Sequence, residues 1–228
     1  MVGLDKRIWQ VKEVGQGIEL NYLSPHLEEG FPANIEFTVR YLLDKNKLTI
    51  EYVAQPDRET IINLTNHTYF NLSGAVKKDI SGHQLQIKAN KFLCLNQDSI
   101  PTGEIKRVEG TPFDFRRLKK VGEEIEADNE QLKFTGGYDH PFILDEEDES
   151  IILKEEESGR VLSISTDQPV VVFYSGNHFT AEASGERLGL CLETQDYPNA
   201  INTANFPTKV YNSEKSYIAK TEYKFDVK

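Results

Sequence analysis

Three short segments of this chain set polar, proton-exchanging groups inside otherwise apolar runs. The first is Asn63-Leu-Thr-Asn-His-Thr-Tyr-Phe-Asn-Leu-Ser-Gly74, in which His67 stands among Asn66, Tyr69 and Asn71, with Leu64, Phe70 and Leu72 as expected core. The second, Gly136-Gly-Tyr-Asp-His-Pro-Phe142, places Asp139 and His140 after two glycines that permit close backbone approach. In the third, Leu190-Cys-Leu-Glu-Thr-Gln-Asp-Tyr-Pro198, strand alternation gives Cys191, Glu193 and Gln195 one face and Leu190 and Leu192 the other. Histidine and glutamate, with ordinary pKa values of about 6.5 and about 4.3, are the side chains for acid and base work near neutral pH. Each also has a plain structural use: a satisfied core histidine, hydrogen bonding in a turn, or a solvated strand face. Spacing alone does not bring the three segments together.

Other chemistries lose their usual support. The five histidines, His26, His67, His83, His140 and His178, include no His-x-His, His-x-x-x-His or His-Glu-x-x-His spacing, so no metal site is expected. The sequence has no Gly-x-Ser-x-Gly elbow, phosphate loop or GxGxxG fingerprint, and no cofactor is expected. The acidic run Asp145-Glu-Glu-Asp-Glu149, without the glycine turn and acid spacing of a calcium loop, is expected to be a solvated hairpin tip between Pro141–Leu144 and Ile151–Leu153.

The elements that must carry these groups are mostly strands. Ile35, Phe37, Val39 and Tyr41 alternate with polar residues, Asp44-Lys45-Asn46-Lys47 interrupts, and Leu48, Ile50 and Tyr52 resume the alternation, which predicts an antiparallel hairpin with one buried face. The same period returns at 84–88, 161–166, 188–194 and 216–227. Val170-Val-Val-Phe-Tyr174 is apolar throughout and predicts a strand buried on both faces. Only 117–133 lacks the alternation, and Leu118, Val121 and Ile125 could share one side of a short helix there. Many short strands and little helix predict an all-β fold, a sandwich or barrel of antiparallel sheets. No linker, repeat or shift of composition divides the chain, so 1–228 is expected to be one domain.

Composition bounds the partners. The chain has 228 residues, 38% of them apolar and 10% aromatic, enough to bury a core. Its 37 acids against 26 bases leave a net charge of −11, which disfavours nucleic acid and anionic membrane as partners. The longest strongly apolar stretch, Pro169–Tyr174, is far shorter than the ~20 residues of a spanning helix, and no secretory-type apolar run follows Met1. Cys94 and Cys191 each lie in apolar surroundings, as buried free thiols do. A cytoplasmic location is the expectation.

Taken in order, the segments resemble the aldose 1-epimerase (galactose mutarotase) family. The matching pieces are Gly3-Leu-Asp-Lys-Arg-Ile-Trp9, Leu23-Ser-Pro with Glu28-Glu-Gly-Phe-Pro32, Asn63–Gly74, Ile100-Pro-Thr-Gly-Glu104 and Gly110-Thr-Pro-Phe-Asp-Phe115. They continue through Gly136–Phe142, Phe173-Tyr-Ser-Gly-Asn177, Leu192-Glu-Thr-Gln195 and Asn205-Phe-Pro207. The resemblance implies a large antiparallel β-sandwich of the galactose mutarotase type with a shallow sugar cleft on one sheet. It implies an isomerase of carbohydrate metabolism that interconverts the α and β anomers of free galactose or glucose without a cofactor. Carried over motif by motif, Glu193 is the base, His67 the acid, and Asp139 the residue that binds sugar hydroxyls. A carboxylate and an imidazolium on opposite sides of the ring would open it by removing the anomeric proton and protonating the ring oxygen.

Two departures qualify the match. Val172 stands where many relatives carry a glutamine that contacts the sugar. The family's further N-terminal segment, which brings an arginine and a cleft histidine, has no counterpart before Gly3. A non-catalytic sugar-binding remnant is therefore the alternative, and a homodimer or a complementing chain that supplies the segment is the partner this departure suggests. A hexose 6-phosphate epimerase, which would need a basic cluster for the phosphate, finds none among these motifs.

Overall fold

The computed structural model describes residues 3–74, 78–145, 148–178 and 187–228. The expected hairpin is present: β3 (Ile35–Asp44) and β4 (Lys47–Pro56) pair from Ile35↔Pro56 to Asp44↔Lys47 across a two-residue turn, with Lys45 at φ 56°. Its alternation buries Ile35, Phe37, Val39, Ile50, Tyr52 and Ala54 on one side. This hairpin sits within a sheet of nine strands among the described residues. Before it come β1 (Gln10–Val14) and β2 (Gly17–Ser24). After it come β15 (Tyr217–Val227), β12 (Arg160–Thr166), β11 (Ile151–Lys154), β6 (Gln84–Ile87) and β9 (Lys119–Lys120).

A second sheet has six strands among the described residues, in the order β5 (Tyr69–Phe70), β14 (Leu190–Gln195), β13 (Val170–Tyr174), β10 (Asp139–Ile143), β7 (Lys91–Leu95) and β8 (Pro101–Arg107). Every pairing in both sheets is antiparallel. The all-β sandwich expected from the sequence is what forms. Apolar β13 lies between β14 and β10, with Val170–Phe173 buried and Tyr174 partly exposed.

One hydrophobic cluster fills the space between the sheets. The small sheet contributes Phe92, Phe142, Phe173, Leu190 and Leu192, and the large sheet contributes Ile50, Leu85, Ile151, Leu162 and Tyr223. Phe113 and Phe115, from the segment after β8, complete the aromatic centre: Phe113 stacks on Phe92 at 4.3 Å between centroids, and Phe115 meets Phe173 edge-on at 5.5 Å. Such contacts add about 0.5–1.5 kcal/mol each beyond simple burial. Cys94 and Cys191 are free and buried, as expected.

Two sequence expectations are corrected. The acidic run does not tip a hairpin, because β10 and β11 belong to different sheets; it lies on the crossing from one sheet to the other. Glu146 and Glu147 of that run fall outside the described residues. The reason is visible in the pairing: β10 finds its partners in β13 and β7, while β11 finds β12 and β6. In 117–133, Val121 and Ile125 are buried but Leu118 is 45% exposed, so no single helical face unites them. A 3-10 turn takes Val121–Glu123, and the α-helix (α1) follows at Glu130–Thr135, where Asn129 caps it by accepting from the Gln131 N–H.

α1 ends in the glycines that precede Asp139. Gly136, at φ 68°, closes the helix in the left-handed conformation, and Gly137 follows at φ 143°. The Ser175–Asn177 turn then grips this stretch. Asn177 Nδ2 donates to the carbonyls of Thr135 (2.8 Å) and Tyr138 (3.1 Å), and the Tyr138 N–H donates to Ser175 Oγ at 2.9 Å. The Gly-Gly-Tyr-Asp and Phe-Tyr-Ser-Gly-Asn segments thus lock each other and fix where β10 begins. A Cβ on Gly137 would press on the side-chain oxygens of Asn177 and Ser175 while its φ excludes ordinary L-residues. Gly137→Ala is expected to cost about 1–3 kcal/mol, read as a lowered midpoint in thermal or urea unfolding; an unchanged midpoint would refute this account of the clamp.

Candidate active site

The face of the small sheet turned away from the core is built by register. Asp139 on β10 pairs with Tyr174 on β13, Tyr174 with Cys191 on β14, and Cys191 with Tyr69 on β5. One pleat further along, Pro141, Val172 and Glu193 form the next row. Side chains two apart on a strand share a face, so Asp139, Tyr174, Cys191, Tyr69, Val172 and Glu193 all present to one side. Their neighbours Phe173, Leu192 and Phe142 point into the core.

His67 arrives from the segment before β5, and its three asparagines hold that segment. Asn63 donates to the Asp196 carbonyl at 3.2 Å and accepts from the Asp196 N–H at 2.9 Å, tying the start to the end of β14. Asn66 Nδ2 donates to the hydroxyls of Tyr223 (2.9 Å) and Tyr52 (3.3 Å), which reach it from the large sheet. Asn71 Nδ2 donates to the carbonyls of Leu188 (2.9 Å) and Lys78 (2.8 Å). Anchored on both sides, His67 lies against Tyr69 and Tyr174, at 4.9 and 5.9 Å between ring centroids.

The two candidate proton carriers meet here. His67 Nε2 lies 3.4 Å from Glu193 Oε1, with the Glu193 side chain 12% exposed and that of His67 53% exposed. The structure sets the two side chains next to each other on one face of the small sheet. Burial, aided by the charge of Asp139 and opposed by His67, pushes Glu193 up to about 7. Apolar Val172, directly across the ladder from Glu193, belongs to that burial. Asp139 is also raised, first by burial, with His67 and His178 acting the other way. Two carboxyls near one imidazole, both held above their usual range, form the pattern of groups tuned for proton exchange.

His140 turns away from this face. It is fully buried against Phe113, at 4.6 Å between centroids, and its Nδ1 accepts from the Asp139 N–H at 3.2 Å. Burial pushes it down to about 3, so it stays a neutral core ring. The Asp139–His140 pair noted in the sequence therefore divides, with only Asp139 on the active face.

One neighbour of His67 was visible in the sequence only as a buried thiol. Cys191 Sγ lies 3.3 Å from His67 Nδ1, so the imidazole spans Cys191 and Glu193. Its place on the same pleat as Glu193 was legible; that it would meet a histidine 124 positions earlier was not. His67, Cys191 and Glu193 offer ligand atoms within 4.8 Å of one another, a donor set suited in kind to zinc. The imidazole turns a different nitrogen to each of the other two, Nδ1 to Cys191 and Nε2 to Glu193, rather than one nitrogen towards a common centre, which weighs against that use.

Known proteins share this arrangement of sequence and fold. The family model described as "Aldose 1-epimerase" matches residues 3–224. The chain is 37% identical over 235 residues to a protein of Sus scrofa named galactose mutarotase, covering 99% of this chain and 67% of that one. It is 35% identical to the aldose 1-epimerase of Escherichia coli (strain K12), covering 98% and 68%. The chain thus spans about two thirds of the length of these relatives. Among solved structures, an aldose epimerase homologue from C. elegans superposes with a TM-score of 0.90 at 27% identity, over 99% of this chain and 70% of that one. The galactose 1-epimerase of Lactobacillus acidophilus NCFM gives 0.87 at 28%, over 99% and 68%. With a family match along nearly its whole length and this fold beneath it, the chain belongs to the aldose 1-epimerase family.

Proposed function

We propose that this protein interconverts the α and β anomers of a free aldohexose, with galactose and glucose as the first candidates because relatives are named for galactose. The observation that carries the reading is the contact of His67 Nε2 with Glu193 Oε1 at 3.4 Å, on a face that also presents Asp139. The ring oxygen and the anomeric hydroxyl are both bonded to one carbon, so an acid and a base a few ångströms apart match them. The Glu193 carboxylate takes the hydroxyl proton, the bond from the anomeric carbon to the ring oxygen breaks, and the His67 imidazolium protonates that oxygen as it leaves. The aldehyde turns about its bond to the next carbon, and closure with the proton roles reversed gives the other anomer. No net proton is consumed. Asp139 accepts hydrogen bonds from sugar hydroxyls and resists rotation of the ring as a whole.

Polarimetry on freshly dissolved α-galactose and α-glucose tests the reading. The purified chain should speed the approach to anomeric equilibrium, Glu193→Gln should abolish that effect, and His67→Asn should slow it by at least ~10²-fold. Saturable sugar binding with no acceleration would instead identify a carbohydrate-binding remnant of the fold.

The raised Glu193 carboxyl fixes two signs. Catalysis needs the carboxylate, so kcat/KM should fall as pH drops below about 7, and a profile flat from pH 8 to pH 5 would count against Glu193 as base. Stability runs the opposite way. Folding raises this group from 4.5 to about 7, so its contribution is full below 4.5 and is lost as pH rises towards 7. Glu193→Gln removes that loss and should gain up to about 3 kcal/mol on the wild type at pH 8, with the gain gone near pH 4.5. Thermal unfolding of both proteins at the two pH values measures it.

A further inference from the structure

We infer that Cys191 is a positioning residue for His67: its thiol holds the imidazole through Nδ1 and so keeps Nε2 aimed at Glu193 and the reacting oxygens. The inference rests on the proposed acid role of His67. Its geometric basis does not, being the two contacts of one ring, Nδ1 to Cys191 Sγ at 3.3 Å and Nε2 to Glu193 Oε1 at 3.4 Å.

A ring that gives and regains a proton at Nε2 needs a partner at Nδ1 that tolerates every form. As an imidazolium, the ring donates from Nδ1 to the sulfur. After Nε2 has protonated the ring oxygen, Nδ1 still carries its hydrogen and the same contact persists. In the resting tautomer with the hydrogen on Nε2, Nδ1 is bare and the thiol turns its own S–H towards it. A thiol can do all of this because it is both a weak donor and a weak acceptor. A carboxylate in its place would bind the imidazolium tightly and hinder proton release. Two facts keep Cys191 in the neutral form this role requires: the residue is buried, and the carboxylates of Glu193 and Asp139 oppose a negative sulfur.

The rest of the surroundings leave orientation to this contact. Among the described residues, the groups that face His67 are Cys191 and Glu193 on β14, Asp139 on β10, Tyr174 on β13 and Tyr69 on β5, and His178 also acts on Asp139. Tyr69 and Tyr174 meet the ring with their rings and restrict its tilt. Among the described residues, Cys191 and Glu193 are the polar partners of its two nitrogens, and Glu193 must exchange its contact for substrate in every turnover. Cys191 is therefore the partner that stays. Its own place is fixed by the ladder, paired with Tyr174 on one side and Tyr69 on the other.

The test compares Cys191→Ala with Cys191→Ser in the full chain, using nitrogen-15 spectra of ring-labelled histidine beside anomerisation kinetics. His67→Asn identifies the His67 signals by their disappearance. Losing the sulfur in Cys191→Ala should shift the Nδ1 resonance and change the tautomer balance, and lower kcat about tenfold with KM changed less than threefold. The serine hydroxyl, again donor and acceptor, should restore the wild-type tautomer pattern and most of kcat. Wild-type Nδ1 and Nε2 resonances in folded Cys191→Ala, or a serine variant no better than alanine in the spectrum, would overturn the inference. Should Cys191→Ala not fold, a wild-type spectrum in folded Cys191→Ser supports the contact and an alanine-independent shift away from it refutes it. Because the spectra need no turnover, they judge the Cys191–His67 link even if Glu193→Gln and His67→Asn show that the proton-transfer reading is wrong.

Discussion

A carboxylate in the middle of a mostly buried sheet face is an unfavourable object, and the contact between His67 and Glu193 is what makes it usable. Removing charge from water costs several kcal/mol unless a partner offsets it. Here the offset is partial. The imidazole pulls the Glu193 carboxyl down while burial, with Asp139 behind it, pushes harder the other way, and the group settles at about 7. A better-satisfied carboxylate, with several donors around it, would be a weaker base. A lone one would stay protonated. The intermediate state depends on an imidazole at 3.4 Å, placed well enough to matter and open enough to yield to substrate.

Much of the molecule can be understood as the means of holding that distance. β14 pairs with β13 along Cys191–Gln195, which fixes Glu193 against Val172, and with β5 at Leu190 and Cys191, which steadies the strand just before it. His67 has no such ladder. Its segment is irregular, and its position comes from asparagine side chains, of which Asn63 and Asn71 bond backbone groups of neighbouring segments and Asn66 bonds side-chain hydroxyls. Asn66 is the most telling of these, since its amide reaches hydroxyls of Tyr52 and Tyr223 that come from the opposite sheet. The large sheet therefore does more than cover the core. Its tyrosines set the depth of the loop that carries His67, and a change in the spacing of the two sheets would be felt at the His67–Glu193 contact.

The sequence showed the strands more readily than their partners. Period-2 alternation located β3, β4, β12, β14 and β15, because the pattern is local even where, as in β12 and β14, consecutive residues are buried. It could not show that Ile143 and Ile151, eight positions apart, enter different sheets, since both sit in apolar runs and sheet membership is decided by distant partners. The helix was displaced for a similar reason. Val121 and Ile125 are buried by a 3-10 turn and loop, while the α-helix formed where Asn129 and Gly136 supplied a cap at each end.

At the active face the same division holds. That Cys191, Glu193 and Gln195 share a side of β14 follows from alternation alone, whereas the meeting of Glu193 with His67 spans more than a hundred residues and has no local signature. Motif resemblance supplied the link that physics on one sequence could not. It was silent on Cys191, because a buried thiol looks the same in sequence whether it fills a core or touches a histidine ring. The distinction lies in which face of the strand the sulfur takes. Leu190 and Leu192 occupy the core face, so Cys191 must stand on the other, in line with Glu193 and within reach of the histidine. Burial of this cysteine on the face away from the core follows from its contact with the His67 ring and from its place in the ladder between Tyr174 and Tyr69.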